Sequence, residues 1–441
     1  MHYIFMDNYR GFSETLIPLR RATFLVGENS TGKSSFMSVA YLLSTPDIMF
    51  ERNLWQGNLY NLGGFKDIVS VTSTDQSHFT IGVVAPKKRG RDNRPDTGFV
   101  CFLLRFCDEE GVPRLSCVAH YTKGVVTNIL YHEKKPYFRT LPRKVSKNSH
   151  GEIQDLVLSV FRDMPKSKAG LEPIPGDLPP DPPLPLILSM IASSQHLPLR
   201  KKKKKSISIN FMIPSVFPMM HWFWLAPIRT KPLRIYPPFK TDFTPEGEHT
   251  PYVIRKSLDS AEKAKRFEEL LSRFGKSSGL FSEVKVHAFG GEPSAPFEVI
   301  VSLHGKPLNI ANVGYGVSQV LPVVVEMITR PKDHGFAIQQ PEVHLHPLAQ
   351  AALGDLIHFL IQEEKHHYLI ETHSDYLIDR FRLRIKETGQ PRNAQVVFFE
   401  RTEEGNKAHV LLINEKGQYP SKQPDAFRRF FINEEVNLLE I

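Results

Sequence analysis

The stretch GENSTGKS at residues 27–34 decides the fold of this sequence. It satisfies the full pattern G-x-x-x-x-G-K-[ST], in which the backbone N–H groups of a glycine-rich loop surround a phosphate. The apolar run ATFLV precedes it, and SFMSVAYLLS, which has the pattern of an amphipathic helix, follows it. A strand before the loop and a helix after it form the context of a P-loop, so a chance glycine-rich turn is disfavoured.

The residue types in this loop suit a nucleoside triphosphate. The Lys33 ammonium reaches β- and γ-phosphate oxygens, the Ser34 hydroxyl ligates Mg²⁺, and the helix N-terminus adds a favourable dipole. We therefore predict a site for ATP and Mg²⁺, with Ser34 as a metal ligand. The predicted cofactor-binding residues of the loop are Asn29, Ser30, Thr31, Gly32, Lys33, Ser34 and Ser35.

Hydrophobic patterning outside the loop predicts an α/β fold. Apolar segments between His78 and Thr140 are separated by turn-rich or charged stretches, which favours an antiparallel meander. Near the C-terminal end, the strands FAIQQ and HHYLIET alternate with a helix after Pro347 and another through DYLIDRFRLRI. Such alternation predicts a parallel sheet whose ligand sites lie at the carboxyl ends of its strands.

The middle of the chain lacks these patterns. From Pro173 to Pro185, seven of thirteen residues are proline, which excludes a helix or a central strand there. The six cations from Arg200 to Lys205 form either a solvated loop or a nucleic-acid contact. We interpret residues 145–215 as an insertion with Pro-rich and Lys-rich flexible segments, between an N-terminal half at 1–144 and a C-terminal half at 216–441.

Composition excludes several protein classes. With 441 residues, 41% of them hydrophobic and 23% charged, the chain has the composition of a soluble globular protein with more than one core. No apolar run approaches the roughly 18 residues that span a bilayer, so we expect a cytoplasmic protein without a membrane partner. Cys101, Cys107 and Cys117 fit no zinc spacing and are interpreted as buried small residues. The formal charge of +9 favours DNA or another polyanion as a partner without establishing one.

Four segments occur in the order of an ABC-type ATPase head. They are the P-loop, NVGYGVSQVLP at 312–322, FAIQQPEVHLHP at 336–347 and LIETHSDYLI at 369–378. Together with WLAPIRTKPLRIY at 224–236 and PEGEHTPYVI at 245–254, they make the chain resemble the ABC-like ATPases of the overcoming-lysogenization-defect group and their bacterial relatives. The resemblance covers roughly residues 1–75 and 220–400. It implies a P-loop parallel sheet, an antiparallel β subdomain and, in this chain, an inserted helical or irregular region.

The resemblance also implies an assembly and further site residues. In such heads a signature segment caps the γ-phosphate that is bound by the P-loop of a partner subunit, so a homodimer or higher homo-oligomer around ATP is implied. His373 matches the switch histidine near the γ-phosphate. Leu345 and His346 match a loop that crosses the dimer interface, whereas a metal pair of His344 and His346 is disfavoured. The residues that match the signature segment are Gly314, Tyr315, Gly316, Ser318 and Gln319.

The chain departs from the resembled family at Gln339 and Gln340. Such heads place an acid at the first position, on the metal side, and a glutamate at the second to activate the attacking water. An amide holds a water but cannot accept its proton, so weak or absent hydrolysis is expected. Glu342 is the nearest carboxylate in this segment. It either replaces the missing glutamate as the general base or only closes the turn after Pro341. The predicted catalytic residues are Gln340, Glu342 and His373, with Gln339 on the metal side.

Two further matches are weaker. Asn8, Tyr9 and Arg10 match the family's first loop, where a basic residue often approaches the nucleotide, and a plain surface turn is favoured nearly as much. Gln56 matches a Q-loop glutamine poorly.

The resemblance implies a regulatory function. Relatives serve in bacterial anti-phage defence, as in the Septu system and in retrons, where the ATPase pairs with a separate nuclease. This sequence lacks a Toprim or His-Asn-His pattern, so the implied function is a nucleotide-gated sensor beside a separately encoded nuclease, with no nuclease activity of its own. The segments predicted to bind that nuclease are 145–215 and FRRFFINEEVNLL at 427–439. The alternatives are a DNA repair or maintenance ATPase, for which coiled-coil heptads are missing, and a non-hydrolysing scaffold assembled by ATP.

Overall fold

The structure is a computed structural model that describes residues 1–45, 48, 55, 61–86, 98–143, 150–174, 182–193, 222–239, 242–259, 261–292, 294–390 and 393–430. These residues form two compact units. The first unit takes its described residues from 1–19, 35–221 and 401–407, and the second takes them from 20–34, 222–400 and 408–441. The predicted boundaries at 144 and 215 stay a prediction.

The strands, in chain order, are β1 (His2–Asp7), β2 (Thr15–Leu19), β3 (Ala22–Gly27), β4 (His78–Pro86), β5 (Phe99–Glu109), β6 (Val112–Thr122), β7 (Val125–His132), β8 (Lys135–Pro142), β9 (Glu172–Pro173), β10 (Trp222–Leu225), β11 (Glu283–Ala288), β12 (Phe297–Leu303), β13 (Lys306–Asn309), β14 (Gly335–Gln339), β15 (His367–Glu371), β16 (Ala394–Thr402) and β17 (Gly405–Ile413). The helices are α1 (Lys33–Leu42), α2 (Phe65–Ile68), α3 (His150–Arg162), α4 (Leu184–Ser193), α5 (Thr250–Leu258), α6 (Ala261–Ser278), α7 (Tyr315–Thr329), α8 (Pro347–Glu364) and α9 (Asp375–Thr388). None of these helices combines the length and apolar character that crossing a bilayer requires.

The first unit is built on an eight-stranded antiparallel sheet with the order β2-β1-β4-β5-β6-β7-β8-β9. The meander predicted between His78 and Thr140 is confirmed as β4 to β8. Strands β4 and β5 are buried along most of their length rather than on one face. One face packs with Val157 and neighbouring residues of α3, and the other carries an aromatic cluster in which the Phe79 and Phe106 ring centroids are 5.3 Å apart. Because both faces of the sheet are covered, the alternation of apolar and polar residues in the sequence predicts fewer buried residues than the structure has.

The proline-rich stretch accommodates two short elements at its ends. Pro173 ends β9, which pairs with Tyr137 at the edge of the sheet, where a missing N–H is tolerated. Helix α4 starts at Leu184, so the predicted exclusion of helix is wrong at the last two residues. Pro185 lies in the first turn, where its missing N–H has no intrahelical partner. Residues 175–181 and the cations at 200–205 lie outside the described part of the chain.

The second unit is built on a six-stranded sheet with the order β10-β14-β15-β3-β16-β17. Strands β10, β14, β15, β3 and β16 run parallel to one another. The predicted parallel sheet is therefore confirmed, and with the antiparallel sheet of the first unit so is the α/β fold class. The P-loop strand β3 lies between β15 and β16, so all three strands end at the same edge.

Helices and a small sheet complete the core of the second unit. Helix α7 is buried from Val317 to Met327, as its apolar sequence predicts. Helices α8 and α9 pack against each other, and β11, β12 and β13 form a separate antiparallel sheet that contacts α6 through β11. Helix α1, whose residues from Ser35 onward belong to the first unit, differs from the sequence prediction, because every residue from Phe36 to Ala40 is buried. It is a core helix rather than an amphipathic one.

Candidate functional site

The P-loop connects the end of β3 to the start of α1. Gly27 has φ +139°, and a Cβ at this position would lie 2.3 Å from the carbonyl oxygen of Phe399 on β16. Only glycine fits there. The Lys33 ammonium donates to the carbonyls of Gly27 at 2.8 Å and Glu28 at 2.6 Å, and the Thr31 hydroxyl donates to the Glu28 carbonyl at 2.9 Å. The loop therefore curls around the lysine side chain that is expected to hold phosphate.

Lys33 is buried, and this burial lowers the pKa of its ammonium, while Glu371 and Glu28 oppose the shift. Other predicted residues of the loop differ in exposure. Thr31 is buried, Gly32 and Ser35 are half-buried, and Asn29, Ser30 and Ser34 are exposed. Exposed backbone and hydroxyl groups around a buried cation are what phosphate binding by a loop requires.

The structure brings a residue to the P-loop that the sequence analysis missed. Glu371 ends β15, and the Ser34 hydroxyl lies 2.9 Å from its Oε1 and 3.0 Å from its Oε2. The Gln339 amide also donates to Glu371 Oε2, at 3.1 Å, because Gln339 and Glu371 are paired in register on adjacent strands. The sequence contains a signal that could have identified Glu371, because this residue is an acid at the end of a predicted strand, directly before Thr372 and His373.

Glu342 lies just beyond β14 and is bound to the end of β15. Its Oε1 accepts from the His373 backbone N–H at 2.7 Å, and its Oε2 accepts from the Thr372 hydroxyl at 2.8 Å. Burial raises the pKa of Glu342, although these hydrogen bonds and the nearby Arg229 oppose the rise. The carboxylate thus joins the two strand ends and is at the same time a stronger proton acceptor than an exposed glutamate.

Arg229 is a buried cation behind Glu342. Only 3% of it is exposed, and burial lowers its pKa to about 10, an effect that Glu342 opposes. One guanidinium nitrogen donates to the Gln339 carbonyl at 3.1 Å, while Nε and Nη1 have no hydrogen-bond partner among the described residues. Arg229 remains charged at neutral pH and supports the carboxylate form of Glu342.

Gln340 begins the turn that carries Glu342. Its φ is +42°, an uncommon conformation for a residue other than glycine, and its backbone N–H donates to the Glu371 carbonyl at 2.8 Å. The next hydrogen bond of the turn joins the Val343 N–H to the Gln340 carbonyl at 3.3 Å. The backbone of Gln340 therefore joins the turn that carries Glu342 to the end of β15, and its catalytic role stays a prediction.

His373 follows Thr372 with an exposed side chain. Partial burial and the positive charge of Lys33 lower the pKa of His373, while Glu371 opposes the shift. The imidazole is therefore mostly neutral at pH 7 and carries one N–H donor. The imidazole is close enough to the P-loop to be affected by the charge of Lys33, and its role as the switch histidine stays a prediction.

The signature segment forms the N-terminus of α7. Gly314 is the residue before the helix, and a Cβ on Gly316 would lie 2.8 Å from the His344 carbonyl oxygen. Ser318 is buried, and its hydroxyl donates to the Tyr315 carbonyl at 2.9 Å, which is a hydrogen bond within its own helix. Gln319 exchanges two hydrogen bonds with the backbone of Arg229, at 3.2 and 3.3 Å. The signature helix is thus joined to the residue behind Glu342.

The histidines after β14 have structural contacts. His346 caps α8 by accepting from the Ala349 N–H, and the His344 ring lies 5.4 Å from the Tyr315 ring. In the part of the chain that the structure describes, no three His, Cys, Asp or Glu side chains are grouped as a metal cluster.

Cys101 and Cys117 are buried, and burial raises the pKa of each to about 12, whereas Cys107 is half-buried.

The first loop of the chain is held within the first unit. Tyr9 is fully buried, and Arg10 donates through its side chain to the Leu62 carbonyl at 2.9 Å and through its backbone to the Ile68 carbonyl at 2.9 Å. A plain surface turn does not describe it. Gln56 lies outside the described residues.

The donor set at the P-loop suits ATP with Mg²⁺. Mg²⁺ prefers oxygen ligands and usually keeps several waters while bridging one or two protein groups and the phosphates. The Ser34 hydroxyl and the Glu371 carboxylate are such groups and lie within hydrogen-bond distance of each other. The Gln339 side chain contacts the same carboxylate through its amide nitrogen, and its amide oxygen is a further group of this kind. When bound, the ion would neutralise phosphate charge beside Lys33.

Comparison with protein families identifies an ATPase domain in the second unit. Residues 228–378 match the AAA ATPase domain family. The matched part, which is less than half of the chain, contains the signature segment, Glu342, Glu371 and His373. The chain therefore contains an ATPase domain, which supports ATP binding. Among curated proteins, none matches this chain.

Several solved structures of SMC heads are similar. A Smc head bound to the C-winged helix domain of ScpA has a TM-score of 0.43 and 11% identity, with 93% of this chain and 98% of that chain covered. A Smc head with an extended coiled coil, bound to the C-terminal domain of ScpA from Pyrococcus furiosus, has a TM-score of 0.41 and 10% identity, with coverage of 100% and 99%. The SMC head from Thermotoga maritima has a TM-score of 0.35 and 9% identity, with coverage of 92% and 97%. Similarity at this level assigns no function.

Proposed function

We propose that this chain binds Mg-ATP and acts as the nucleotide-gated sensor or regulatory subunit of a bacterial anti-phage defence complex. The observation that carries the nucleotide site is the loop between Gly27 and Ser34, in which a buried lysine is surrounded by backbone and lies beside Glu371. In this site Lys33 holds the phosphates, and Glu342 accepts the proton of the attacking water. The neutral His373 imidazole donates a hydrogen bond to the γ-phosphate.

Calorimetry of ATP binding tests the nucleotide site. Lys33→Ala removes the only side-chain ammonium inside the loop and should abolish measurable ATP binding. Lys66→Ala removes an exposed lysine of α2 and is the matched control, for which affinity should match that of the wild type. Equal ATP affinity in the Lys33 variant and the control would overturn the P-loop assignment.

The exposed residues around the site support a dimer of heads. Tyr315, Leu348 and Tyr376 are 48%, 52% and 57% exposed, and each lies in the first turn of a helix. Helices α8 and α9 begin after β14 and β15, so Leu348 and Tyr376 lie at the sheet edge that carries the P-loop. Tyr315 lies there too, because its ring contacts His344. Large exposed apolar groups in one region favour a protein interface.

Mass measurement with and without ATP tests this dimer. Tyr315→Arg should weaken the ATP-dependent dimer, whereas Leu412→Arg, which changes another exposed apolar residue on β17, should not. A wild-type protein that stays monomeric at high concentration with ATP would refute the shared site. Gly316→Arg is unsuitable for this purpose, because any side chain at Gly316 collides with the backbone of its own subunit.

A separately encoded nuclease is the proposed partner, as the family resemblance implies. The purified chain should therefore not cut DNA, and metal-dependent cleavage that an internal substitution abolishes would contradict this. Phe427 does not serve as a partner anchor, since it is buried in the core and its ring lies 5.5 Å from that of Phe398. The rest of that segment beyond Phe430, and residues 145–149, 175–181 and 194–215 of the insertion, lie outside the described residues.

The non-hydrolysing scaffold is the second candidate, and the amides at Gln339 and Gln340 favour it. The DNA maintenance ATPase is the remaining alternative. The rate of ATP hydrolysis and the oligomeric mass, each measured with ATP and with added DNA, distinguish the sensor, the scaffold and the DNA maintenance ATPase. ATP-driven assembly without turnover indicates the scaffold, DNA-stimulated turnover indicates DNA maintenance, and slow turnover that is independent of DNA supports the proposed sensor.

A further inference from the structure

We propose that Glu371 supplies the metal-side carboxylate that Gln339 lacks, so that the acid of the nucleotide site is carried by β15 instead of β14. This inference deepens the proposed function and rests on it. The juxtaposition of Ser34, Gln339 and Glu371 carries the proposal.

The geometry is specific to the P-loop hydroxyl. Both carboxylate oxygens of Glu371 lie within 3.0 Å of Ser34 Oγ, the atom that a P-loop uses to ligate Mg²⁺. Glu371 is only 6% exposed, so its charge is held in place rather than solvated. The Lys33 ammonium interacts electrostatically with this carboxylate.

Strand register explains how the acid is displaced. Gln339 and Glu371 are paired in the parallel ladder between β14 and β15, and both are the last residues of their strands. Exchanging an amide and a carboxylate between these two positions moves the charge by one strand spacing, about 4.8 Å. The Gln339 amide donates to Glu371 at 3.1 Å, which orients the carboxylate toward Ser34.

Two other carboxylates, Glu342 and Glu28, lie near the site. Glu342 accepts from Thr372 and His373, and Arg229 lies behind it. Glu28 is exposed in the loop itself. Among the described residues, Glu371 is the acid whose side chain contacts Ser34.

The test measures how much Mg²⁺ strengthens nucleotide binding. Calorimetry with AMP-PNP, which is not hydrolysed, gives an affinity in EDTA and another in excess Mg²⁺. For Glu371→Gln we expect a wild-type affinity in EDTA and a loss of at least about tenfold in the gain that Mg²⁺ provides. Asp375→Asn removes an exposed carboxylate four residues further along and should keep the full gain.

A double variant separates metal binding from a structural role. Gln339→Glu combined with Glu371→Gln restores one carboxylate at the paired position, so the gain from Mg²⁺ should return. A gain in Glu371→Gln equal to that of the wild type would overturn the proposal, as would a double variant no better than Glu371→Gln. Failure of the wild type to bind AMP-PNP at all would instead overturn the proposed nucleotide site, and the inference with it.

Discussion

Replacing Glu342 by glutamine tests the proposed general base with little change in shape. The glutamine Oε1 can keep the hydrogen bond from the His373 N–H, now 2.7 Å long, and its Nε2 can donate to the Thr372 hydroxyl, which also accepts. The substitution therefore removes proton affinity and charge while retaining both contacts. General-base assistance contributes about 10²- to 10⁴-fold in rate, or roughly 3 to 5 kcal/mol of the barrier.

Single-turnover hydrolysis of ATP, followed over a pH series, measures this loss. The base acts when it is deprotonated, so wild-type hydrolysis should fall as pH falls through the pKa of Glu342, which burial raises above 4.5. Hydrolysis by Glu342→Gln should be slower by about 10²- to 10⁴-fold. Its rate should also lack the acid limb, which is the fall in rate at low pH. Glu363→Gln makes the same change on an exposed residue of α8 and should match the wild type.

The same substitution should also change the melting temperature in a direction that follows from the pKa shift. Because the folded pKa of Glu342 is raised, the folded state binds the proton more tightly, and the ionised carboxylate opposes folding above that pKa. The melting temperature of Glu342→Gln should thus equal or exceed that of the wild type at pH 8, with a smaller difference at pH 5. Turnover within about threefold of the wild type, with the acid limb retained, would refute the assignment.

Further predictions concern the neighbouring residues and the core. Gln340→Glu adds a carboxylate at the position where the resembled family has its base, so in the Glu342→Gln background it should raise turnover by at least about tenfold in the same assay. Gly316→Ala places a Cβ 2.8 Å from the His344 carbonyl oxygen and should lower stability by about 1 to 3 kcal/mol in urea denaturation. Glu326 is fully buried and binds His249 at 2.7 Å and Arg330 at 2.6 Å, so Glu326→Ala should cost about 3 to 5 kcal/mol by the same method. An Ala variant at Glu326 as stable as the wild type would show that this network contributes nothing.

Residues close in the chain determined much of the local structure of both units. The pattern GENSTGKS specified a strand, a loop and a helix, because positive φ at Gly27, a cation and a hydroxyl are needed within eight residues of each other. Apolar periodicity likewise predicted the meander, the buried helix α7 and the alternation of strands and helices after residue 335. These features depend on local backbone conformation and on how often a side chain faces the core.

Tertiary structure alone decided which polar groups meet. Ser34 and Glu371 are 337 residues apart, and only the strand order β14-β15-β3 brings them into contact. Gln319 and Arg229 are joined across 90 residues in the same way. The sequence pattern identified the positions of Gln339, Gln340 and Glu342, but strand order and register decide which residue lies opposite each of them. Strand order follows from packing of the whole sheet and its helices, and no short stretch of sequence contains it.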